Sequence, residues 1–149
     1  MIEMNKPQID KLPHFDVTAG LILNGDKILI TQRLTADKFG DFWEFPGGKL
    51  KTGETLQECL AREISEELNI NISVQRHLIS LDHSYPNFKI TLHVFLCQYV
   101  NGVPLCRGVQ NWKWVEPEEL SQFQFTEADR EVIQKLALAN RDTQFQLKL

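Results

Sequence analysis

The sequence predicts an α/β protein whose β-sheet is covered by helices on both faces. Two apolar runs, 17–23 and 27–33, are separated by Asn24-Gly25-Asp26, and Asn-Gly between apolar runs is a typical hairpin signal. Aliphatic residues at four-residue spacing from Leu56 to Leu68 indicate an amphipathic helix. Apolar runs interrupted by two helical segments favour helices packed on each side of one sheet.

The other segments are predicted in chain order. Residues 1–15 are expected to form a leader, 34–40 a loop, and 41–48 a short strand stopped by Pro46-Gly47-Gly48. Strands are expected at 72–81, 89–100 and 110–115, one helical turn from Pro117, and a last helix capped by Thr126. Residues 141–149 are a polar tail. The length of 149 residues predicts a single domain over 1–149.

The first helix has defined ends. Thr55 is an N-cap candidate, and Glu58 three residues later completes a capping box. Asn69 occupies the position where the helix should end, and asparagine tolerates the left-handed conformation of such a residue. The apolar stripe of this helix consists of Leu56, Leu60, Ile64 and Leu68.

Composition and charge exclude several classes of protein. The formal net charge of -4 argues against sequence-independent binding to a nucleic-acid polymer. No apolar run is long enough to span a membrane. The cysteines, Cys59, Cys97 and Cys106, form no CxxC pair, which disfavours a disulfide framework or a zinc site. Reduced thiols and a start unlike a signal peptide predict a cytoplasmic protein.

The acidic residues of the first helix carry the chemical signal. At 3.6 residues per turn, Glu63, Glu66 and Glu67 fall within a sector of roughly 100°. Like charges at this spacing repel one another, and Arg62 offsets only one of them. A solvated acidic helix face is the alternative interpretation. A divalent cation would neutralise the rest, and an all-oxygen site suits Mg²⁺ or Mn²⁺.

The surrounding spacing resembles a known motif. Gly48, Glu54 and the run Arg62-Glu63-Ile64-Ser65-Glu66-Glu67 fit the Nudix box, G-x5-E-x7-R-E-U-x-E-E-x-G-U, where U is aliphatic. The departure is Asn69, where that family has glycine. The run 43–49, Trp-Glu-Phe-Pro-Gly-Gly-Lys, is similar to the MutT branch, and weaker likeness extends over 17–138.

The resemblance implies both a fold and an activity. The fold would be a mixed β-sheet sandwiched between α-helices, of the α+β type. The activity would be hydrolysis of a (deoxy)nucleoside triphosphate to the monophosphate and pyrophosphate with Mg²⁺, for which Mn²⁺ could substitute. The first candidate substrate is 8-oxo-dGTP, in the role of nucleotide-pool sanitation. The expected partner is therefore a small nucleotide, bound by a monomer or a homodimer.

The resemblance also implies roles for the motif residues. The Gly48 carbonyl and the carboxylates of Glu63, Glu66 and Glu67 would hold the metal. Glu54 would be a ligand through water or an acid–base partner, and Arg62 would orient the glutamates. The general base is left open between Glu67 and Glu54, since spacing does not decide it.

Four further residues are candidates for substrate binding. Arg33 and Lys49 flank the expected cleft and could contact phosphates, although solvated surface charges are equally common. Phe45 could stack on a base or belong to the core. Asp129 lies where the MutT branch reads the base, and where 8-oxoguanine-sanitising enzymes typically carry asparagine. It could instead be an acid favoured by the helix dipole.

Two other functions remain open at this stage. A CTP or modified-dCTP pyrophosphohydrolase is the nearest alternative, because an ionised Asp129 could accept from the cytosine amino group. A non-catalytic nucleotide-binding regulator on the same fold is the alternative from another class. Such regulators usually lack the box glutamates, so the presence of Glu63, Glu66 and Glu67 disfavours it.

Overall fold

The computed structural model describes residues 12–137. Seven strands and two α-helices are present in this part of the chain. In order they are β1 (His14–Asn24), β2 (Lys27–Gln32), β3 (Trp43–Glu44), β4 (Gly47–Lys49), α1 (Leu56–Leu68), β5 (Asn71–Tyr85), β6 (Phe88–Asn101), β7 (Asn111–Val115), a 3₁₀ helix (Pro117–Gln122) and α2 (Glu127–Leu136).

All seven strands belong to one mixed sheet. The main order is β3-β2-β1-β6-β5, while β4 pairs with β1 and β7 pairs with β2. β1 and β6 run parallel, and the other named strand pairs are antiparallel. β1 therefore lies at the centre, with β2, β4 and β6 as its neighbours.

The sheet has a hydrophobic core on each face. Alternate residues of β1 point to opposite sides, as expected for a strand buried on both faces. Leu21 packs in the core that includes Val132 of α2, and Ile22 packs in the core that includes Leu60 of α1. The predicted arrangement, a mixed sheet between helices, is confirmed. Among residues 12–137, no helix is long and apolar enough to cross a membrane.

The first helix is built as predicted. The Glu58 amide donates to the Thr55 hydroxyl at 3.0 Å, and the Thr55 amide donates to the Glu58 carboxylate at 2.9 Å. Asn69 ends the helix in the left-handed conformation, with φ of 59°. Cys59, Leu60, Ile64 and Leu68 are the buried residues of α1. Because this side of α1 is buried against the sheet, the side that carries the glutamates is held in a fixed orientation.

The predicted strand over 41–48 is wrong in detail. Only Trp43 and Glu44 pair with β2, and the chain resumes after Pro46 as β4, which pairs with β1. A Cβ on Gly47 would lie 1.9 Å from the Thr18 carbonyl oxygen, so only glycine allows this close approach. Pro-Gly-Gly thus redirects the strand instead of ending it.

Smaller differences occur elsewhere along the chain. β5 continues to Tyr85, four residues beyond its predicted end, and the turn before β6 is only Pro86-Asn87. The predicted leader loses its last two residues to β1, which begins at His14. The rest of the leader up to residue 11, and the tail at 141–149, lie outside the described residues.

Candidate active site

A cavity of about 660 Å³ lies beside α1 and the first turn of α2. Its volume falls within the range of small-molecule sites. The predicted site residues that line it are Arg33, Phe45, Gly48, Lys49, Glu63, Glu67 and Asp129. The other three, Glu54, Arg62 and Glu66, adjoin this wall through hydrogen bonds that converge on Arg62.

Gly48 brings bare backbone against the glutamate side of α1. A Cβ at this position would lie 2.2 Å from the Glu63 carboxyl carbon, so the Glu63 side chain occupies the space beside the glycine. The Gly48 carbonyl oxygen accepts from the Thr18 hydroxyl at 3.2 Å and from the Cys59 thiol at 3.6 Å. These two donors orient the carbonyl that the motif assigns to the metal.

Arg62 is the hub of the motif. Its guanidinium grips both oxygens of Glu54, at 2.9 Å from Nε and 2.7 Å from one terminal nitrogen. The other terminal nitrogen donates to Glu63 at 3.0 Å and to Glu66 at 3.1 Å. The nitrogen that bonds to Glu54 also donates to the Lys49 carbonyl, at 3.2 Å. The hydrogen bond that Arg62 donates to Glu54 raises the pKa of Arg62 above its usual range. Arg62 is therefore a cation held in place by several carboxylates.

Glu54 is committed to that ion pair. The hydrogen bond from Arg62 lowers the pKa of Glu54 to about 2, and the Lys51 amide donates to the same carboxylate at 2.8 Å. A carboxylate of such low proton affinity is a poor general base near neutral pH. The ion pair with Arg62 thus ties up the Glu54 carboxylate.

Glu67 lies in the cavity wall beside Gly108, where an added Cβ would be 3.0 Å from the Glu67 Cγ. Burial raises the pKa of Glu67 to about 8, and repulsion from Glu63 and Glu44 adds to this. In the part of the chain that the structure describes, no salt bridge pairs Glu67 with a cation in the way that Arg62 pairs with Glu54, although the charge of Arg33 partly opposes the rise in pKa. A cation bound here would favour the charged form.

The fit of this site to a divalent cation rests on its donor set. Gly48 and the three glutamates offer only oxygen ligands, which suits Mg²⁺. Within residues 12–137, no three His, Cys, Asp or Glu side chains already converge on one point. Arg62 holds Glu63 and Glu66 toward itself, and Glu63 already lies against Gly48.

Arg33 lines the cavity but is already paired. Its guanidinium donates to the Glu44 carboxylate at 2.9 Å and to the Lys38 carbonyl at 2.7 Å. Burial raises the pKa of Glu44, so Arg33 partly compensates for a buried acid. Lys49 is freer, with its ammonium 4.2 Å from the centre of the Phe15 ring. Lys49 is therefore the better placed of the two predicted phosphate contacts.

Phe45 does not present its ring as a stacking surface. The residue is 2% exposed and packs at 5.3 Å from the ring of Phe125, because β3 delivers it into the core on the α2 face. Its backbone matters instead, since the Phe45 amide donates to Asp129 at 2.9 Å. Asp129 is 4% exposed, and burial raises its pKa to about 8. Asp129 thus lines the cavity as a buried acid.

An aromatic wall of the cavity was missed by the sequence interpretation. Tyr85 and Phe88 stack at 4.7 Å across the β5–β6 turn, Phe39 lies 5.0 Å from Tyr85, and Phe15 meets Phe88 edge-on. Lys38 places its ammonium 4.4 Å from the centre of the Phe88 ring. The pattern Tyr85-Pro86-Asn87-Phe88, with aromatic residues on both sides of a turn, was the available signal.

Comparison with known proteins shows which family this sequence belongs to. Residues 18–135 fit the family model described as the NUDIX domain. The chain belongs to the Nudix family. The match runs from within β1 to within α2 and contains most of the residues that line the cavity.

Relatives of this Nudix chain carry two different substrate names. A protein from Haemophilus influenzae named 8-oxo-dGTP diphosphatase is 36% identical over 122 residues, which is 80% of this chain and 89% of the relative. A protein from Escherichia coli named CTP pyrophosphohydrolase is 32% identical over 114 residues, covering 76% and 84%. The solution structure of the E. coli ORF135 protein is 27% identical, with a TM-score of 0.70 over 90% of this chain and 98% of that one.

The one departure from the Nudix box leaves the helix end intact. Asn69 adopts the left-handed conformation that glycine would take, and its amide donates to the Ser65 carbonyl at 3.0 Å. Asparagine therefore keeps the left-handed helix end that glycine would provide.

Proposed function

We propose that this chain hydrolyses a (deoxy)nucleoside triphosphate to the monophosphate and pyrophosphate, with 8-oxo-dGTP as the first candidate substrate. The observation that carries the proposal is the glutamate side of α1, packed on Gly48 and organised by Arg62, in the wall of a cavity of nucleotide size. We further propose that it works in the cytoplasm as a monomer or homodimer and binds no nucleic-acid polymer.

Metal binding would fall to the Gly48 carbonyl, Glu63, Glu66 and Glu67. Bound Mg²⁺ would neutralise the phosphates and acidify a water molecule, and Mn²⁺ is expected to substitute. Arg62 keeps Glu63 and Glu66 within reach of Gly48. Hydrogen bonds to Glu54 and to the Lys49 carbonyl hold the Arg62 guanidinium in place. Its positive charge there offsets the mutual repulsion of Glu63 and Glu66.

The remaining steps belong to side chains of the cavity. Glu67 would accept the proton of the attacking water, since it lines the cavity and Glu54 is held by Arg62. Lys49 would contact the phosphates. The aromatic wall of Phe39, Tyr85 and Phe88 offers rings on which a base can stack.

Asp129 supports the 8-oxo-dGTP assignment. Its raised pKa of about 8 makes the neutral acid the dominant form at pH 7. A neutral carboxyl has one donor and one acceptor oxygen, which is the hydrogen-bonding pattern of asparagine. This is the residue type typical of 8-oxoguanine-sanitising enzymes at this position, and the H. influenzae relative carries the matching name.

A CTP or modified-dCTP substrate is the second candidate. It is favoured by the E. coli relative named CTP pyrophosphohydrolase and by Asp129 itself, which can accept a hydrogen bond from the cytosine amino group.

The test is a nucleotide panel ranked by kcat/KM. Pyrophosphate release with Mg²⁺ would be measured for the ordinary dNTPs and NTPs, 8-oxo-dGTP and 5-methyl-dCTP, with Glu67→Gln as the inactive control. A preference for 8-oxo-dGTP of at least tenfold over dGTP supports the first candidate, and a cytidine preference supports the second. Equal turnover of all bases would refute both base assignments, and no release from any triphosphate would refute the activity.

A further inference from the structure

Outside the cavity, a polar network crosses three strands on the α1 face of the sheet. The His93 ring bonds to the Asp16 carboxylate through Nε2 at 3.0 Å and to the Ser80 hydroxyl through Nδ1 at 2.8 Å. The Nε2 atom of His77 contacts the same Ser80 hydroxyl, also at 2.8 Å. The His77 ring packs edge-on against Phe95, which belongs to the α1 core.

The hydrogen-bond directions fix the tautomer of His93. A carboxylate accepts but does not donate, so His93 Nε2 carries the hydrogen shared with Asp16. In the neutral ring, Nδ1 then carries the lone pair and accepts from the Ser80 hydroxyl, so His77 Nε2 donates to the same oxygen and must change tautomer to bind an ion. A histidine that donates to a carboxylate through one nitrogen and presents the other is the arrangement found at metal ligands.

The second imidazole lies close to the first. Since both ring nitrogens touch one Ser80 oxygen, they are separated by at most twice that contact distance. His77 and Ser80 are exposed, and the His93 side chain is 16% exposed, so an ion from solvent has access. Two imidazoles and a hydroxyl leave further coordination positions to water.

We propose that His77 and His93 form a second metal site, specific for borderline transition ions such as Zn²⁺, Ni²⁺ or Cu²⁺. Ser80 is its third protein ligand, and Asp16 orients His93 from outside the coordination sphere. Imidazole nitrogen favours these ions, whereas Mg²⁺ favours the oxygen ligands of the glutamate site. The proposal is independent of nucleotide hydrolysis.

The site stands close to the catalytic scaffold. His93 lies beside Thr18 in the parallel register of β1 and β6, and the Thr18 hydroxyl holds the Gly48 carbonyl. An ion at His77 and His93 would link β1, β6 and β5 through side chains. It would therefore stabilise the folded chain, because it binds the native arrangement and not the separated strands.

The experiment is a Zn²⁺ titration of the full chain in saturating Mg²⁺, followed by ¹⁵N NMR of the imidazoles. The ring signals of His77 and His93 are expected to move together and saturate, with His14 and His83 as internal controls. Equal or unsaturated movement of all four rings would mean adventitious binding and would overturn the proposal. Because the readout is ion binding, the outcome does not depend on whether any nucleotide is hydrolysed.

Calorimetric Zn²⁺ titration of variants provides the second measurement. His77→Gln, on the exposed side, is expected to weaken Zn²⁺ binding at least tenfold, and Asp16→Asn about tenfold through loss of the orienting partner. His83→Gln, on the other face, is the matched control and should bind within twofold of the parent chain. Unchanged affinity in His77→Gln would exclude the site.

Discussion

Replacing Gly48 with alanine tests whether the position of Glu63 controls catalysis. The new Cβ would lie 2.2 Å from the Glu63 carboxyl carbon, whereas carbon atoms rest about 3.5 Å apart, so the carboxylate must retreat by more than 1 Å. Misplacement of a reacting group by about 1 Å costs about 100-fold in rate, or about 2.7 kcal/mol. We expect kcat/KM of Gly48→Ala to fall by about that factor.

The matched control is Gly108→Ala. Its Cβ would meet the Glu67 Cγ at 3.0 Å, so the neighbour needs to move by only about half an ångström. We expect a loss of less than about tenfold. Both variants should melt within roughly a few degrees of the parent chain, because each clash involves the end of a flexible side chain. A Gly48→Ala enzyme within threefold of the parent, with normal melting, would refute the reasoning.

Three further variants test other parts of the site. Glu67→Gln should lower kcat about a thousandfold without changing the melting curve, and near-normal kcat would remove its assignment as base. Arg62→Lys should lower kcat/KM about 10- to 100-fold, since an ammonium cannot donate to Glu54 from two nitrogens at once. An unchanged Mg²⁺ titration and rate would show that Arg62 does not position the carboxylates. Asp129→Asn should flatten the pH dependence of unfolding. The folded pKa of about 8 exceeds the unfolded value of 3.8, so stability is full below about pH 4 and is lost as pH rises to 8. The parent should lose on the order of 4 kcal/mol more than the variant between pH 5 and 8 in urea titrations, and parallel curves would show that the acid is not buried as described.

The motif helix was predictable because its evidence is local. The capping box joins Thr55 to Glu58, and helical periodicity alone places Glu63 and Glu67 on one side. The left-handed end at Asn69 follows from the same short stretch. Interactions within one or two helical turns need no knowledge of the rest of the fold.

The features that were missed depend on long-range pairing. Pro-Gly-Gly was interpreted as a stop, because nothing local shows that Gly47 must fit against β1. Phe45 was left open between stacking and the core, and its burial follows from the path of β3 beneath α2. The contacts of Tyr85 with Phe39 depend equally on how the loop after β2 meets the β5–β6 turn. Such placements follow from topology, which periodicity does not encode.

The central position of β1 has a consequence for biosynthesis. This first strand pairs along its length with β6, so that His14 lies beside Lys89 and Leu23 beside Gln98. During translation, its apolar residues leave the ribosome long before their partner strand exists. β2 and β4 can pair with one edge of β1 early, but the edge that β6 covers stays open until β6 has been synthesised, and an unpaired strand edge is prone to aggregation in that interval.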